Sequence, residues 1–446
     1  MQIIHDKLMV ISSSTSINDT IDIPGDKSIS HRAIIFSAIA QGTSTITGLL
    51  ESDDVHCTKE AFIKHGVVFQ KTHLGFTIHS PGFHNFSCNT DEILYMGNSG
   101  TSARLLMGLF ASLKAKITLV GDNSLNKRPM QRVVDPLALM GANIALTNNN
   151  FLPSIISGRK LRGITYSLST PSAQVKSAIL LASLMANGTT EIIEPIATRN
   201  HTECMLNNLN INISSEKINE GTKITINNNS SIIPTFNYNI PKDFSSSAFF
   251  IALALIRPNT VLHIPAVNLN STRTGFLKVV LAMGADITIL NEKVVQGEQI
   301  GDLVVKTSSM TGVNVSGDLS PSMIDEYPIL AIVASFACGT TTFNNIQELK
   351  YKESNRLQAI IDNLNLMRVK VIEKNDSLEI HGNSNIKEGG VEINSNHDHR
   401  IAMSFLIMGM MCKNTVTVSG CSSINTSFPS FVDICCQLGL KISPLN

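Results

Sequence analysis

Apolar and polar positions along the chain fall into two kinds of block that recur in a fixed order. The first is an apolar, Ala- and Ser-rich run with helical spacing, over Ser28 to Ala40, Ser102 to Ser112, Ala173 to Ala186, Ser246 to Ile256, Asp325 to Ala337 and Arg400 to Met411. In the first run Ile29, Ala33, Phe36 and Ala40 are spaced for one buried stripe. Each run leads into a short strand signal: Gly42 to Ile46, Lys116 to Val120, Gly188 to Ile193, Asn259 to Leu262, Gly339 to Phe343 and Asn414 to Val418. A polar loop and a second helix come next. That helix ends in another strand start, at Gly66-Val67-Val68, Gly141-Ala142-Asn143, Asn210-Ile211-Asn212, Gly284-Ala285-Asp286, Arg368-Val369-Lys370 and Gly439-Leu440-Lys441. A Gly at such a place suits a helix C-terminus. The period, roughly 70–85 residues, exceeds that of solenoid repeats. Each unit is therefore a small α/β lobe whose helices must pack on a sheet to bury their stripes. Six lobes in 446 residues predict two domains of three. The stretches Asn148-Asn149-Asn150 and Asn227-Asn228-Asn229 read as turns or loops.

Composition narrows the class. Lys+Arg and Asp+Glu number 35 each, so bulk charge gives no reason to expect nucleic acid or a membrane surface as partner. A hydrophobic content of 43% fills ordinary cores, and no run is long enough to span a bilayer. The start, Met1-Gln2-Ile3-Ile4-His5-Asp6, does not read as a signal peptide. The 8 Cys are scattered, with no C-x-x-C pair, and a reduced cytoplasmic setting is the simplest account. Cys57, Cys204 and Cys338 read as helix-packing residues.

Chemistry collects where the helical runs begin. The first helices start at Lys27, Ser28 and Arg32; at Asn98-Ser99-Gly100-Thr101 and Arg104; at Ser172-Ala173-Gln174 and Lys176; at Asp243 and Ser245 to Ser247; at Asp325-Glu326; and at Asp398-His399-Arg400. The second helices start near Asp53-Asp54, Lys127-Arg128, Arg199, Arg273, Lys352-Glu353 with Arg356, and Thr426-Ser427. Capping explains Ser, Asp and Thr in such positions, and Asp26 is a plausible N-cap. Capping does not explain Lys and Arg, which oppose the dipole there and imply an anionic ligand with more than one charged group. Alone, Lys27-Ser28 with Arg32 reads either as a phosphate cradle or as a solvated basic turn. Lys352 and Arg356, four apart, read either as one anion-binding helix face or as a salt-bridged surface. Asp325 and Glu326, in an apolar setting, suit either base work or capping. His397-Asp398-His399 has the look of a metal cluster, but no further ligands stand at suitable spacing. No G-x-x-x-x-G-K-[ST] or G-x-G-x-x-G is present.

Together these stretches resemble a known family. PGDKSISHR (24–32), GNSGTSARL (97–105), KRPM (127–130), SAQVKSA (172–178), TRNHTE (198–203), TRTG (272–275), PSMIDEYPILA (321–331), KESNRL (352–357), HDHRIAMSF (397–405) and TSFP (426–429) are similar, in order, to 5-enolpyruvylshikimate-3-phosphate synthases, and to their class II subgroup. The resemblance implies an α/β (α+β) fold of two domains, each of three βαβαββ-type repeats, the inside-out α/β barrel of the enolpyruvyl transferases. It implies one domain over 22–240 and a second from 1–21 with 241–446, with a cleft between them. The implied reaction moves the enolpyruvyl group of phosphoenolpyruvate to the 5-hydroxyl of shikimate 3-phosphate and releases phosphate. By motif position, Lys27 and Gln174 are expected to touch both substrates. Ser28, Arg32, Ser172, Ala173, Arg199, Asp325 and Lys352 are expected to hold shikimate 3-phosphate. Asn98, Gly100, Thr101, Arg104, Arg128, Glu353, Arg356 and Arg400 are expected around phosphoenolpyruvate. Asp325 is implied as the base for the hydroxyl, with Glu353 and Lys27 protonating the methylene carbon. No metal or cofactor is implied. A cytoplasmic monomer inhibited by glyphosate is expected, because Gly100 stands where tolerant relatives carry Ala.

Three positions depart from the family pattern. Thr426 stands where many members have Lys, Asn355 where Asp is usual, and Lys242-Asp243 where a Gly-Asp hinge is usual. Two rival readings remain. A UDP-N-acetylglucosamine enolpyruvyl transferase normally carries a loop Cys, which residues 121–129 lack. A non-catalytic anion-binding homologue has no need of both Asp325 and Glu353.

Overall fold

The structure is a computed structural model that describes residues 4–12, 16–88, 91–228 and 233–445. The chain divides into two compact units. One comprises Gly25–Ile240 with Val295–Glu298, and the other Met1–Pro24, Pro241–Val294 and Gln299–Asn446.

The unit of Gly25–Ile240 carries helices α1 (Lys27–Ile39), α2 (Asp53–Ile63), α3 (Gly100–Phe110), α4 (Gln131–Leu139), α5 (Ala173–Ser183) and α6 (His201–Asn208). Three sheets share one plan. In the first, the strand Gln41–Thr47 pairs antiparallel with Gly75–Pro81, which pairs antiparallel with Val68–Lys71. The strand Asn237–Asn239 then returns to lie parallel to Gln41–Thr47 on its other side. The second sheet sets Glu92–Tyr95, Lys116–Val120, Phe151–Ser157 and Asn143–Thr147 in the same order. The third sets Thr165–Ser167 beside Ala186–Glu194, Gly221–Asn228 and Ile213–Ile218, with Leu161–Arg162 also parallel to Ala186–Glu194.

The other unit repeats the plan with α7 (Phe244–Ile256), α8 (Gly275–Ala282), the one-turn α9 (Ser320–Met323), α10 (Tyr327–Phe336), α11 (Arg356–Leu366), α12 (His399–Gly409) and α13 (Phe431–Gln437). Its sheets run Ile17–Thr20, Thr260–Asn268, Glu298–Lys306, Asp286–Val295; then Asn314–Val315, Gly339–Asn344, Ser377–Gly382, Lys370–Lys374; then Glu392–Asn394, Val416–Ser419, Lys7–Ile11, Lys441–Pro444. The chain start is thus threaded into two lobes, with Ile17–Thr20 on the edge of one sheet and Lys7–Ile11 inside another. The sheets stay open and none closes into a barrel.

The periodicity in the sequence is borne out as six lobes of two helices and one sheet. Three details differ. First, α1 is buried on all faces from Ile29 to Ile39, Ser30, His31, Arg32 and Ser37 included, not along one stripe. It packs on α2, α3, α6 and the strand Gly75–Pro81, so little of its circumference meets water. Second, Asn148 and Asn149 do turn the chain with φ of 50° and 58°, but Asn227 and Asn228 finish a strand, and Asn229 lies outside the described residues. Third, Cys338 is exposed just beyond α10 rather than packed in a helix, while Cys57 and Cys204 are half-buried on α2 and α6.

Caps hold the helix starts in place. Asp26 accepts from Ile29 N at 2.9 Å, Ser99 from Ser102 N at 3.1 Å, Ser172 from Val175 N at 3.4 Å, Asp243 from Ser246 N at 2.8 Å and Asp398 from Arg400 N at 2.9 Å. The exception among the first helices is α10, where Glu326 makes no capping bond and Asp325 lies one residue outside.

Candidate active site

In the unit of Gly25–Ile240 the predicted residues sit at the starts of α1, α3 and α5 and on the turns before α4 and α6. Lys27 opens α1 and its ammonium pairs with Asp54 at the start of α2. Arg32, one turn further on, is 4% exposed. It donates to Thr202 Oγ1 and Ser177 Oγ, each at 2.7 Å, and to the carbonyl of Ser28 at 2.9 Å. None of these partners is a carboxylate. Burial pulls its pKa down to about 10, with Glu203 and Asp26 opposing and Arg199 adding to the effect. The hydrogen-bond partners of this buried cation carry no full charge, so the nearby carboxylates of Glu203 and Asp26 compensate it through space. Ser172 caps α5, with Ala173 half-buried beside it, and Arg199 stands on the turn into α6.

A second group lies around α3. Gln174 donates to Thr101 Oγ1 at 3.0 Å and accepts from Arg104 Nη1 at 2.6 Å, while Arg104 Nη2 reaches the carbonyl of Pro129 at 3.2 Å. Arg128 donates to the carbonyl of Asn98 at 3.2 Å, to its side-chain oxygen, and to Ser124 Oγ at 3.1 Å. Gly100 faces both guanidinium groups. A Cβ there would stand 2.8 Å from Arg104 Nη1 and 3.5 Å from Arg128 Nη1. Gly at this position therefore keeps space beside two cations.

Lys176, which shares the start of α5, is fully buried and occupied. Its ammonium meets Glu194 at 2.9 Å and Glu203 at 2.8 Å. Burial works against its charge, but the two carboxylates outweigh it and raise its pKa.

In the other unit the central group is Arg356, the first residue of α11 and fully buried. Its Nε meets Asp398 Oδ2 at 2.8 Å, Nη1 meets Asp325 Oδ1 at 3.1 Å and Nη2 meets Glu353 Oε2 at 2.5 Å. Burial disfavours its charge, and Asp398, Glu353 and Asp325 together overcome that and hold its pKa above the usual range. Asp325 and Glu353 keep 18% and 24% of their side-chain surface open, so one buried guanidinium presents two accessible carboxylates. Arg400, in the first turn of α12, donates to the carbonyl of Asp325 at 3.2 Å and lies 3.8 Å from its carboxylate. Lys352 is partly buried ahead of α11. Burial draws its pKa down to about 8, Arg356 reinforcing this and Asp325 opposing it.

The structure corrects or resolves several sequence expectations. Lys352 does not share a helix face with Arg356, because a bend over Lys352 to Ser354 precedes α11. The N-cap position of α10 falls on Glu326 and not on Asp325. Asn355 caps α11 by accepting from Gln358 N at 3.2 Å, a role in which Asn serves as well as Asp. Thr426 turns inward, donating to the carbonyl of Ser423 at 2.7 Å. Asp398 of the metal-like triplet binds Arg356 instead, and among the described residues no three His, Cys, Asp or Glu form a group that could hold a metal. The sequence does not mark Ser177, Thr202 and Asp54 as partners that orient the cations. The first two lie inside the motifs at 172–178 and 198–203, and hydroxyls within an otherwise apolar buried run are the available signal.

The chain is similar to known proteins along nearly its whole length. The sequence model of the family described as EPSP synthase (3-phosphoshikimate 1-carboxyvinyltransferase) matches residues 11–435. A 3-phosphoshikimate 1-carboxyvinyltransferase of Oceanobacillus iheyensis is 44% identical over 421 residues, 94% of this chain and 96% of that protein. One from Bartonella henselae is 43% identical over 98% of this chain and 99% of its own length. An EPSP synthase structure from Acinetobacter baumannii superposes with a TM-score of 0.86 at 40% identity, covering 98% of this chain and 99% of that one. The enolpyruvyl transferase NikO from Streptomyces tendae, 15% identical, shares the fold with a TM-score of 0.77 over 98% of each chain. The chain belongs to the EPSP synthase family.

Proposed function

We propose that this chain transfers the enolpyruvyl group of phosphoenolpyruvate to the 5-hydroxyl of shikimate 3-phosphate, giving 5-enolpyruvylshikimate 3-phosphate and phosphate, a step toward aromatic amino acids. The observation that carries this is the Arg356 assembly: two accessible carboxylates fixed on one buried guanidinium, with Arg400 alongside. A reaction that moves protons between anionic substrates needs both kinds of group. In the proposed course Asp325 takes the proton of the 5-hydroxyl as its oxygen bonds to C2 of phosphoenolpyruvate. Glu353, with Lys27, delivers a proton to C3 to make the methyl group of a tetrahedral phosphate ketal. Loss of a C3 proton and cleavage of the C2–O bond to phosphate then give product.

Lys27, Ser28, Arg32, Ser172, Ala173, Gln174, Arg199 and Lys352 are assigned to shikimate 3-phosphate. Asn98, Gly100, Thr101, Arg104, Arg128, Gln174, Arg356 and Arg400 are assigned to phosphoenolpyruvate. Each charge-assisted bond contributes about 1.5–3 kcal/mol, so loss of one Arg weakens binding without abolishing it. We read the unit of 25–240 with 295–298, and the unit of 1–24 with 241–294 and 299–446, as the two domains of the family, their division falling near the expected 22–240 against 1–21 with 241–446, and the enzyme as a cytoplasmic monomer. No helix among the described residues is long and apolar enough to cross a membrane.

The test is release of phosphate from phosphoenolpyruvate, measured with shikimate 3-phosphate, with UDP-N-acetylglucosamine and with no acceptor. Release only with shikimate 3-phosphate is expected. Release only with the nucleotide sugar would move the chain to the sister activity, and none with either would leave an anion-binding homologue. Asp325→Asn is expected to cut kcat by about 10²–10⁴. Glyphosate is expected to inhibit. Gly100→Ala, which crowds Arg104, is expected to raise the KM for phosphoenolpyruvate and weaken that inhibition together, and unchanged sensitivity would remove Gly100 from the pocket.

A further inference from the structure

Glu326 has no part in the proposed chemistry, yet it is 1% exposed and makes no cap to α10. Its Oε1 accepts a hydrogen bond from the Ser245 hydroxyl on α7. Ser245 in turn accepts from Arg273 Nη2 at 2.6 Å, and that guanidinium lies 3.9 Å from Asp243. Arg carries donors only, so the direction of the chain is fixed: Arg273 donates to Ser245 and Ser245 donates to Glu326. The same Oε1 lies 3.8 Å from Arg400 Nη1. The other oxygen, Oε2, is buried with no hydrogen-bond partner among the described residues. A buried carboxylate is costly unless opposite charge is close, and Arg400 is the nearby cation besides Arg273.

Arg400 itself has one short contact, to the Asp325 carbonyl at 3.2 Å, and two carboxylates at equal range, Glu326 and Asp325 at 3.8 Å each. Its side chain keeps 12% of its surface open. With Glu326 removed, Asp325 is the one carboxylate left within 4 Å of this guanidinium among the described residues. We propose that Glu326, oriented by Ser245 and Arg273, is a positioning residue that balances Asp325 and so holds the Arg400 fork away from the proposed base and ready for an anionic ligand. The assignment rests on the reading that Arg400 binds phosphoenolpyruvate. It adds to that reading a buried residue that touches no substrate.

The experiment compares the full-length protein with Glu326→Gln, which keeps the shape and the bond to Ser245 but removes the charge. Steady-state turnover and calorimetric titration with phosphoenolpyruvate are both measured, with thermal unfolding as the check on folding. The expected result is a rise of about tenfold in the KM and the dissociation constant for phosphoenolpyruvate, with the KM for shikimate 3-phosphate changed little. A purely structural role lowers kcat through the active fraction and leaves that KM split absent. An unchanged phosphoenolpyruvate KM and dissociation constant would overturn the proposal. If wild type binds phosphoenolpyruvate without turning over, the functional reading fails, while weaker binding by Glu326→Gln still supports the positioning role. Should Glu326→Gln not fold, Ser245→Ala cuts the bridge and keeps the carboxylate. A smaller rise in the same constant is then expected, and no rise overturns the proposal.

Discussion

At the scale of the residue, the groups divide by what neutralises them. Lys176 and Arg356 are buried cations matched by carboxylates, whereas Arg32 is buried on hydroxyls and a carbonyl. Sequence could place all of these at helix starts but could not rank them. Arg32 reaches its hydroxyls across 145 and 170 residues, and no local pattern reports such partners. Lys352 yields a pH prediction. Its ammonium is present below about pH 8 and lost above it, so affinity for shikimate 3-phosphate should fall as pH rises through that value. Lys352→Met should bind more weakly at neutral pH and lose that dependence, as titration calorimetry across pH would show. The effect on stability has the opposite sense. Because the folded pKa lies below the unfolded one, the unfolded chain holds more protons between about 8 and 10.5, and stability linked to this group rises over that interval. Replacement by Met should accordingly stabilise the fold at neutral pH and make little difference in strong base.

At the scale of the element, the second helix of every lobe ends in the same left-handed residue: Gly66, Gly141, Asn210, Gly284, Arg368 and Gly439, with φ of 90°, 97°, 57°, 101°, 58° and 74°. The Gly at four of these ends was legible as a C-terminal signal, and the other two lobes adopt the geometry without the residue. Arg368 is the costly case, since an L side chain in this region loses roughly 1–2 kcal/mol. It is exposed, so replacement forfeits little packing. Arg368→Gly should stabilise by about 0.5–1 kcal/mol, visible as a higher Tm, and a lower Tm would show that the side chain is held by something other than its turn. The first helices were less readable. In α1, Ser30, His31, Arg32 and Ser37 count as a polar face by composition, yet neighbours cover them on every side. His31 illustrates the consequence: its Nδ1 lies 2.7 Å from Thr58 Oγ1, and burial, with Lys27 and Arg32 nearby, holds its pKa well below the usual value. Periodicity reports the contrast between faces, and it fails where a helix has no wet face.

At the scale of the whole molecule, each unit is closed by a strand that comes from far along the chain. Asn237–Asn239 returns to Gln41–Thr47 in one, and Lys7–Ile11 lies between Val416–Ser419 and Lys441–Pro444 in the other. The six-fold repeat in the sequence predicted the lobes but not these returns, because the repeat relates each helix to the strand next to it in sequence and carries no trace of a strand arriving from a distance. Leu8 and Val10 of the inner strand are 2% and 0% exposed, and burying each contributes about 1.5–3 kcal/mol. Its removal also leaves the paired backbone groups of two neighbours without partners. A chain lacking residues 4–11 should therefore lose several kcal/mol, a large share of the roughly 5–15 kcal/mol typical of a domain. Calorimetry should place the melting of the 241–446 part well below that of the intact protein, and an unchanged transition would show that the strand is dispensable.

The pairing of Lys7 with Ser419, and of Val10 with Ile442, also sets a schedule for the ribosome. Every strand of the three sheets in the Gly25–Ile240 unit has been made once Asn239 emerges. The segment Lys7–Ile11, made before that unit, has no strand partner until Val416–Ser419 and Lys441–Pro444 have been made. At about 5–20 residues per second it waits roughly 10–40 s beyond that point with its apolar side chains unclaimed. During that interval the nascent chain carries a strand without its native partners, the kind of segment that holdase chaperones and non-native strand pairing compete to capture.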